Sequence, residues 1–313
     1  LLDRDVLELL LSPWYLGLLG LCVGSFLNVV IYRLPVMMQR QWLDDCEVQL
    51  SSVEDLQQVL KLSPEQAQAV ATGVQPVRSA LQALPKLGLV TPRSRCPQCG
   101  HQLRWHENLP VLGWLRLGGK CASCKARIAL RYPAVELLIG LLFLGIGWQV
   151  GPQFAALLYC GFAAALVALA GIDWDTTYLP DSITQPLLWA GLAAAGLGML
   201  PVALPASLAG AAVGYLSLWS IYWIFKLVTG KEGMGYGDFK LLAGLGAWLG
   251  WQMILPIALL ASLIGAAVGL YLKVSGGLRE GRYVPFGPFL AGGGLTVLLI
   301  GRQPVMTWLG LPG

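Results

Sequence analysis

Charge is what this sequence has least of. Only 12% of its 313 residues are charged while 56% are hydrophobic, a balance that excludes an ordinary soluble domain and points to lipid as the solvent. It also lacks the opening of a cleaved secretory signal. Asp3, Arg4, Asp5 and Glu8 stand where a basic region would, with no small-residue cleavage site after the first apolar run, so that run is expected to be a retained anchor. There is no internal repeat and no low-complexity tract. No strand, glycine loop and helix follow one another in the manner of a nucleoside-binding unit.

The charge that is present is unevenly placed. Thirteen of the 21 Lys and Arg lie between Arg33 and Arg131, so one soluble insert is expected within a membrane protein. The net charge of +4 resides in short connections between apolar segments. Topology and phospholipid head groups account for it there, and nucleic acid is not expected as a partner.

Apolar runs near the 17 to 25 residues that a bilayer span takes fall at about 10–31, 133–150, 153–172, 183–200, 206–226 and 285–301. The stretch 241–272 could be one tilted helix or two short ones broken near Gly250 to Pro256. Lys226, Lys231 and Lys240 precede it, and Lys273, Arg279 and Arg282 follow. If positive loops stay cytoplasmic, the chain crosses an even number of times between those clusters, which makes two passes. The expected fold class is therefore an all-α polytopic membrane protein with about eight transmembrane helices and a cytoplasmic insert between the first and second. Its expected divisions are a first transmembrane helix at 1–31, the insert at 32–132 and a seven-helix core at 133–313. By the same rule the loops 173–182, 227–240 and 273–284 are cytoplasmic, and both termini face outward. Within the insert, the spacing of Val53, Leu56, Val59 and Leu60 suggests short amphipathic helices over 41–90.

Two motifs carry chemistry. The first is Cys96-Pro-Gln-Cys99, followed after 21 residues by Cys121-Ala-Ser-Cys124. Two such knuckles at this spacing resemble a four-thiolate tetrahedral zinc site. Disulfides are the competing reading, but a reducing cytoplasm would preserve thiolates. Four protein ligands leave no position for water, so the expected zinc is structural. His101 and His106 lie nearby and are read as polar surface groups. Cys22, Cys46 and Cys160 have no partner at ligand spacing and are read as ordinary thiols.

The second motif is a set of carboxylates beside apolar spans, where ionisable groups are costly and each is a functional hypothesis by default. Asp173, Asp175 and Asp181 lie in GIDWDTTYLPD, and Asp238 closes GMGYGD. Asp173 is expected at the end of the third span and Asp238 at the start of the sixth, both on one face of the membrane. Asp238 has a plain alternative role as a helix N-cap, and Asp175 and Asp181 could be helix-end polar residues. Gly233, Gly235 and Gly237 would let the backbone approach a neighbour closely. Neither aspartate has a Ser–His arrangement near it. Two carboxylates sharing a proton are a known hydrolytic device, one taking a proton from water and the other donating toward the scissile carbonyl.

These residues resemble the type IV prepilin leader peptidases, membrane aspartyl proteases whose second aspartate follows a Gly-x-Gly signature, here Gly235-Tyr236-Gly237-Asp238. The first matches Asp173, eight residues before Asp181. The likeness extends through GSFLNVVIYRLP (24–35), PRSRCPQCGHQLRWHENLPVLGWL (92–115), RYPAVELL (131–138), IDWDTTYLPD (172–181), LVTGKEGMGYGDFKLL (227–242) and VPFGPFLA (284–291), with 41–90 the least similar stretch. It implies Asp173 and Asp238 as the catalytic pair, with Gly235, Gly237, Asp175 and Asp181 near the site. It further implies cleavage of prepilins and pseudopilins of type IV pili and type II secretion at the cytoplasmic face of the bacterial inner membrane. A second implied activity is methylation of the new N-terminus by S-adenosylmethionine. The donor's site is not placed by the sequence; the insert and the surroundings of Arg33, Glu107 and Lys120 are where it is sought. Two rival readings use the same residues: a proton- or ion-coupled transporter, and a zinc-containing membrane scaffold. Transporters often show paired halves with sites at the midplane, whereas here the acids lie at one face and the halves do not match.

Overall fold

The computed structural model describes residues 4–276, 284–308 and 310. Asp3, Arg279, Glu280 and Arg282, and most of the 273–284 loop, lie outside the described residues. Among the described residues every extended element is helical. They are α1 (Arg4–Leu10), α2 (Pro13–Ser51), α3 (Val53–Leu60), α4 (Pro64–Ala83), α5 (Leu112–Arg116), α6 (Arg131–Val150), α7 (Phe154–Thr176), α8 (Asp181–Gly196), α9 (Leu204–Thr229), α10 (Tyr236–Leu249), α11 (Ile254–Val274), α12 (Gly287–Ile300) and α13 (Arg302–Trp308). The β-structure amounts to two isolated bridges, Arg95 with Gln102 and Lys120 with Arg127.

Helices stand at each position where an apolar run was expected, and the 241–272 stretch breaks at Gly250, whose φ of 87° ends α10. Five helical segments are long and apolar enough to cross a membrane, or six if α12 and α13, bent by 102°, count as one span. Helices α8, α10 and α12 have only 16, 14 and 14 residues. At about 1.5 Å per residue these fall short of a hydrocarbon core of about 30 Å. Protein surrounds α10 instead: from Asp238 to Leu249 only Lys240 is not buried.

The contacts divide the chain into two compact units, residues 29–105 and the remainder. In the first, α2 runs on past Pro35 to Ser51 with no break near residue 31. Helices α3 and α4 follow, and their starts explain themselves. The Ser52 hydroxyl accepts from the Asp55 N–H, and Ser63 with Gln66 forms a reciprocal capping box before Pro64. The expected short helices of 41–90 therefore exist from 53 onward, while 41–51 belongs to α2. Buried Glu47 accepts from the Ser51 hydroxyl and faces Arg78 at 4.0 Å.

The second unit is the helical bundle, with α10 packed against α8, α9 and α12, and α12 against α7 and α11. Small residues set its close approaches, as expected where lipid supplies no hydrophobic drive between helices. Gly210 of α9 and Gly246 of α10 pack backbone to backbone, each leaving no room for a Cβ. Nearby the Ser207 hydroxyl donates to the Ala247 carbonyl at 2.6 Å, and the Trp248 indole donates to the Leu187 carbonyl at 2.8 Å. These bonds hold α10 between α8 and α9.

Candidate active site

Asp173 lies in the last turn of α7 and Asp238 in the first turn of α10, and both are buried, 5% and 7% exposed. The structure brings them close enough for the charge of Asp173 to act on Asp238. A carboxylate at a helix C-terminus is poorly placed with respect to the helix dipole. The compensation comes from α12, whose first residue, Gly287, donates its N–H to Asp173 Oδ2 at 3.0 Å. Asp238, by contrast, occupies the favourable N-terminal turn of α10.

The plain alternative for Asp238 does not hold. The N-cap of α10 is Gly235, Asp238 is the third residue of the helix, and no side chain caps it. Glycine is needed at two places around the pair. A Cβ at Gly287 would stand 2.5 Å from Asp173 Oδ2, and one at Gly237 would stand 2.8 Å from the Leu179 Cβ. Leu179, 6% exposed, fills the space between these two glycines. Gly233 packs on the Phe225 ring, but Gly235 has φ of −84° and open space where a Cβ would be, so the close approach expected there is not found.

Asp175 and Asp181 are helix-end residues, each in an ion pair. Arg131 Nη1 reaches both oxygens of Asp175 at 2.8 and 2.7 Å, and its other nitrogen donates to the Gly171 carbonyl at 3.3 Å. Lys240 Nζ reaches both oxygens of Asp181 at 2.7 and 2.8 Å. One bracket ties the start of α6 to the end of α7; the other ties α10 to the start of α8. The loop before α10 is held as well. Lys226 of α9 donates to Glu232 at 2.8 Å and to the Tyr222 hydroxyl at 3.1 Å, and the Tyr222 and Tyr236 rings lie 5.3 Å apart. Hydrogen bonding to Lys226 holds the Glu232 carboxyl below the usual glutamate range. Arg131, Lys240, Tyr222 and Gly287 were not singled out from sequence. The only signal was that each but Tyr222 falls in a segment that resembled the leader peptidases.

The four cysteines also come together. In each knuckle the first cysteine's N–H bonds the carbonyl five residues on, Cys96 to His101 and Cys121 to Ala126, both at 2.8 Å. Its carbonyl accepts from the fourth residue on, Gly100 at 3.0 Å and Lys125 at 3.1 Å, and both of those residues have positive φ. The Sγ atoms of Cys96, Cys99, Cys121 and Cys124 all lie within 4.8 Å of one another. Four zinc thiolates at about 2.3 Å from the metal have sulfurs about 3.8 Å apart, so this donor set fits a metal such as zinc. His101 and His106 are not part of it. Cys22 and Cys46 are exposed and Cys160 buried.

Two family profiles match along the chain, the bacterial peptidase A24 N-terminal domain over residues 18–150 and the type IV leader peptidase family over residues 160–270. A protein of Stutzerimonas stutzeri named prepilin leader peptidase/N-methyltransferase is 46% identical over 93% of this chain and 91% of its own length. The chain belongs to the type IV leader peptidase family. Proteins with the same printed name from Pseudomonas aeruginosa and Burkholderia pseudomallei are 46% and 47% identical, over 95% and 90% of this chain and 93% and 84% of their own lengths. No solved structure matches. In this family member both buried aspartates fall within the leader peptidase match, and all four clustered cysteines fall within the N-terminal match.

Proposed function

We propose that this chain is a membrane aspartyl endopeptidase that removes the leader of type IV prepilins and pseudopilins through Asp173 and Asp238. The observation that carries the reading is two buried carboxylates from separate helices, the charge of Asp173 acting on Asp238, inside the segment that matches the leader peptidases. Two buried acids so placed share one proton. One takes a proton from the attacking water while the other donates to the carbonyl oxygen, and the roles reverse as the amine leaves.

The surroundings serve that chemistry. The Gly287 N–H orients Asp173, so the acid meets water in one geometry. Gly237 lets Leu179 close over the pair, and the ion pairs of Asp175 and Asp181 hold the helix ends that bear it. Open space beside Gly235 leaves room for an extended substrate backbone.

The relatives' printed names include N-methyltransferase, and the resemblance to the family extends the reading to methylation of the new N-terminal amine with S-adenosylmethionine as donor. Zinc bound by Cys96, Cys99, Cys121 and Cys124 supplies cross-links that fold its segment, with no open coordination position. The chain would cross the bacterial inner membrane about eight times, counting the short helices α8, α10 and α12 as passes inside the bundle, with its first span in the part of α2 up to residue 31, a cytoplasmic insert over 32–132 and a seven-helix core. The dyad would face the cytoplasm, with phospholipid around the bundle. The test is cleavage of a prepilin by the purified chain in a bilayer: wild type should release the leader, and Asp173→Asn should release none. Full cleavage by that variant would overturn the assignment.

A further inference from the structure

Four carboxylates are buried among the described residues: Glu47, Glu136, Asp173 and Asp238. Asp173 and Asp238 form the proteolytic pair, and Glu47 faces Arg78. Glu136 is different. It is 9% exposed, stands five residues into membrane-spanning α6, and pairs with no cation among the described residues. Its Oε2 accepts the Val111 N–H at 2.7 Å, and the Ser25 side chain of α2 comes near it.

Its surroundings are closely packed. A Cβ at Gly24 would stand 2.6 Å from Glu136 Cα, so the helices touch there. One turn further along α2, the Asn28 amide donates to the Gly24 carbonyl at 3.3 Å and to the Tyr132 carbonyl at 3.0 Å. Val111, a β-branched residue, is held at φ 58° and ψ −50°, a sterically disfavoured conformation. Such strain persists where the surroundings enforce it, and it concentrates at functional sites.

A buried acid with a neutral backbone donor and no cation is suited to a positively charged ligand. A cleaved leader peptide leaves one behind, the ammonium of the new N-terminus. The ion pair of Arg131 with Asp175 sets the first turn of α6 beside the last turn of α7, two residues past Asp173. Glu136, about 7 Å along α6 from Arg131, therefore lies toward the same end of the bundle as the proteolytic pair. The new amine need not cross the membrane to reach it. Glu136 also lies in the N-terminal match, apart from the aspartates.

We propose that Glu136 is the proton acceptor of amine methylation, at a second site where α2 crosses α6; this rests on the methyltransferase reading above. The carboxylate binds the ammonium and takes one of its protons. The freed nitrogen lone pair attacks the methyl carbon of a sulfonium donor; the N–C bond forms, and the S–C bond breaks with its electrons passing to sulfur. A secondary ammonium and a thioether result.

Glu136→Gln is the variant of choice, because an amide oxygen still accepts the Val111 N–H and keeps the pocket folded, yet takes no proton. It is compared with wild type on a prepilin and on a synthetic peptide that begins at the mature N-terminus, with S-adenosylmethionine as donor. The variant should cleave within about twofold of wild type, while its methylation at pH 7 falls by about 100-fold or more. That loss should shrink as pH rises past an α-amino pKa of about 8, where the amine is free without a base; the Ser25 and Val111 groups that touch Glu136 do not titrate there. Without donor, wild type should bind the free-amine peptide about tenfold more tightly than its N-acetylated form, and the variant should bind the two alike. Intact methylation in Glu136→Gln overturns the assignment, as does parallel loss of both activities, which would make Glu136 a structural residue. A wild type that cleaves but transfers no methyl group, yet still prefers the free amine through Glu136, sinks the methyltransferase reading and leaves an ammonium site alone.

Discussion

Gly287→Ala removes no chemical group and still should disable the protease. The added methyl would stand 2.5 Å from Asp173 Oδ2 and 3.2 Å from Leu179 Cδ1, and neither neighbour has space to withdraw, since both are buried. The carboxylate must turn away from the Gly287 N–H, a charge-assisted hydrogen bond of the kind worth about 1.5 to 3 kcal/mol. If that bond orients Asp173 in the transition state, its loss corresponds to a rate about 10- to 150-fold lower. The matching control is Gly292→Ala on the same helix, where a Cβ meets nothing within 4 Å. Alanine gains about 1 kcal/mol of propensity at Gly292 inside the helix and less at Gly287, its first residue, so the control shows what an added methyl does away from Asp173. The assay is initial-rate cleavage of a prepilin in a defined bilayer, with thermal unfolding measured in parallel. Equal rates for the two variants would refute the claim that Gly287 positions Asp173.

Two further outcomes follow from the same geometry. Asp175→Asn and Asp181→Asn should each lower cleavage by about tenfold or less, since each breaks a partly exposed ion pair of modest worth; abolition at Asp175 with activity retained at Asp173 would mean the wrong partner was chosen. Metal analysis of the wild type should find one zinc per chain, and the Cys96→Ser/Cys121→Ser variant should hold none, whereas unchanged zinc in that variant would exclude the four-cysteine site.

The hydrophobic segments were legible because hydropathy is a local property, and the knuckles because ligand spacing is local too. The lengths of α8, α10 and α12 were not. Gly250 and Gly301 end two of them through positive φ; a break near Gly250 was among the expectations, but nothing near Gly301 distinguishes it from the rest of 39 glycines. The passage of α2 through Pro35 was hidden for a related reason, since proline removes a hydrogen bond but does not oblige a helix to stop. Asp173 and Asp238 stood out as acids at helix ends, and the neighbours of Asp238 suggested an N-cap as readily as half of a dyad. What separates the two is tertiary: Gly287 donates across 114 residues, and Arg131 and Lys240 pair with acids 44 and 59 residues away. Gly235 shows the reverse error, a glycine whose motif suggested close contact and whose position has open space.

The central claim is that Asp173 and Asp238 act as one unit on one proton. A double-mutant cycle on cleavage tests it most directly, with Asp173→Asn, Asp238→Asn and the combined variant measured at single-turnover sensitivity. Members of one catalytic unit are grossly non-additive, so the double variant should be no slower than the slower single variant. Losses that multiply, or a single variant that cleaves at the wild-type rate, would contradict the account.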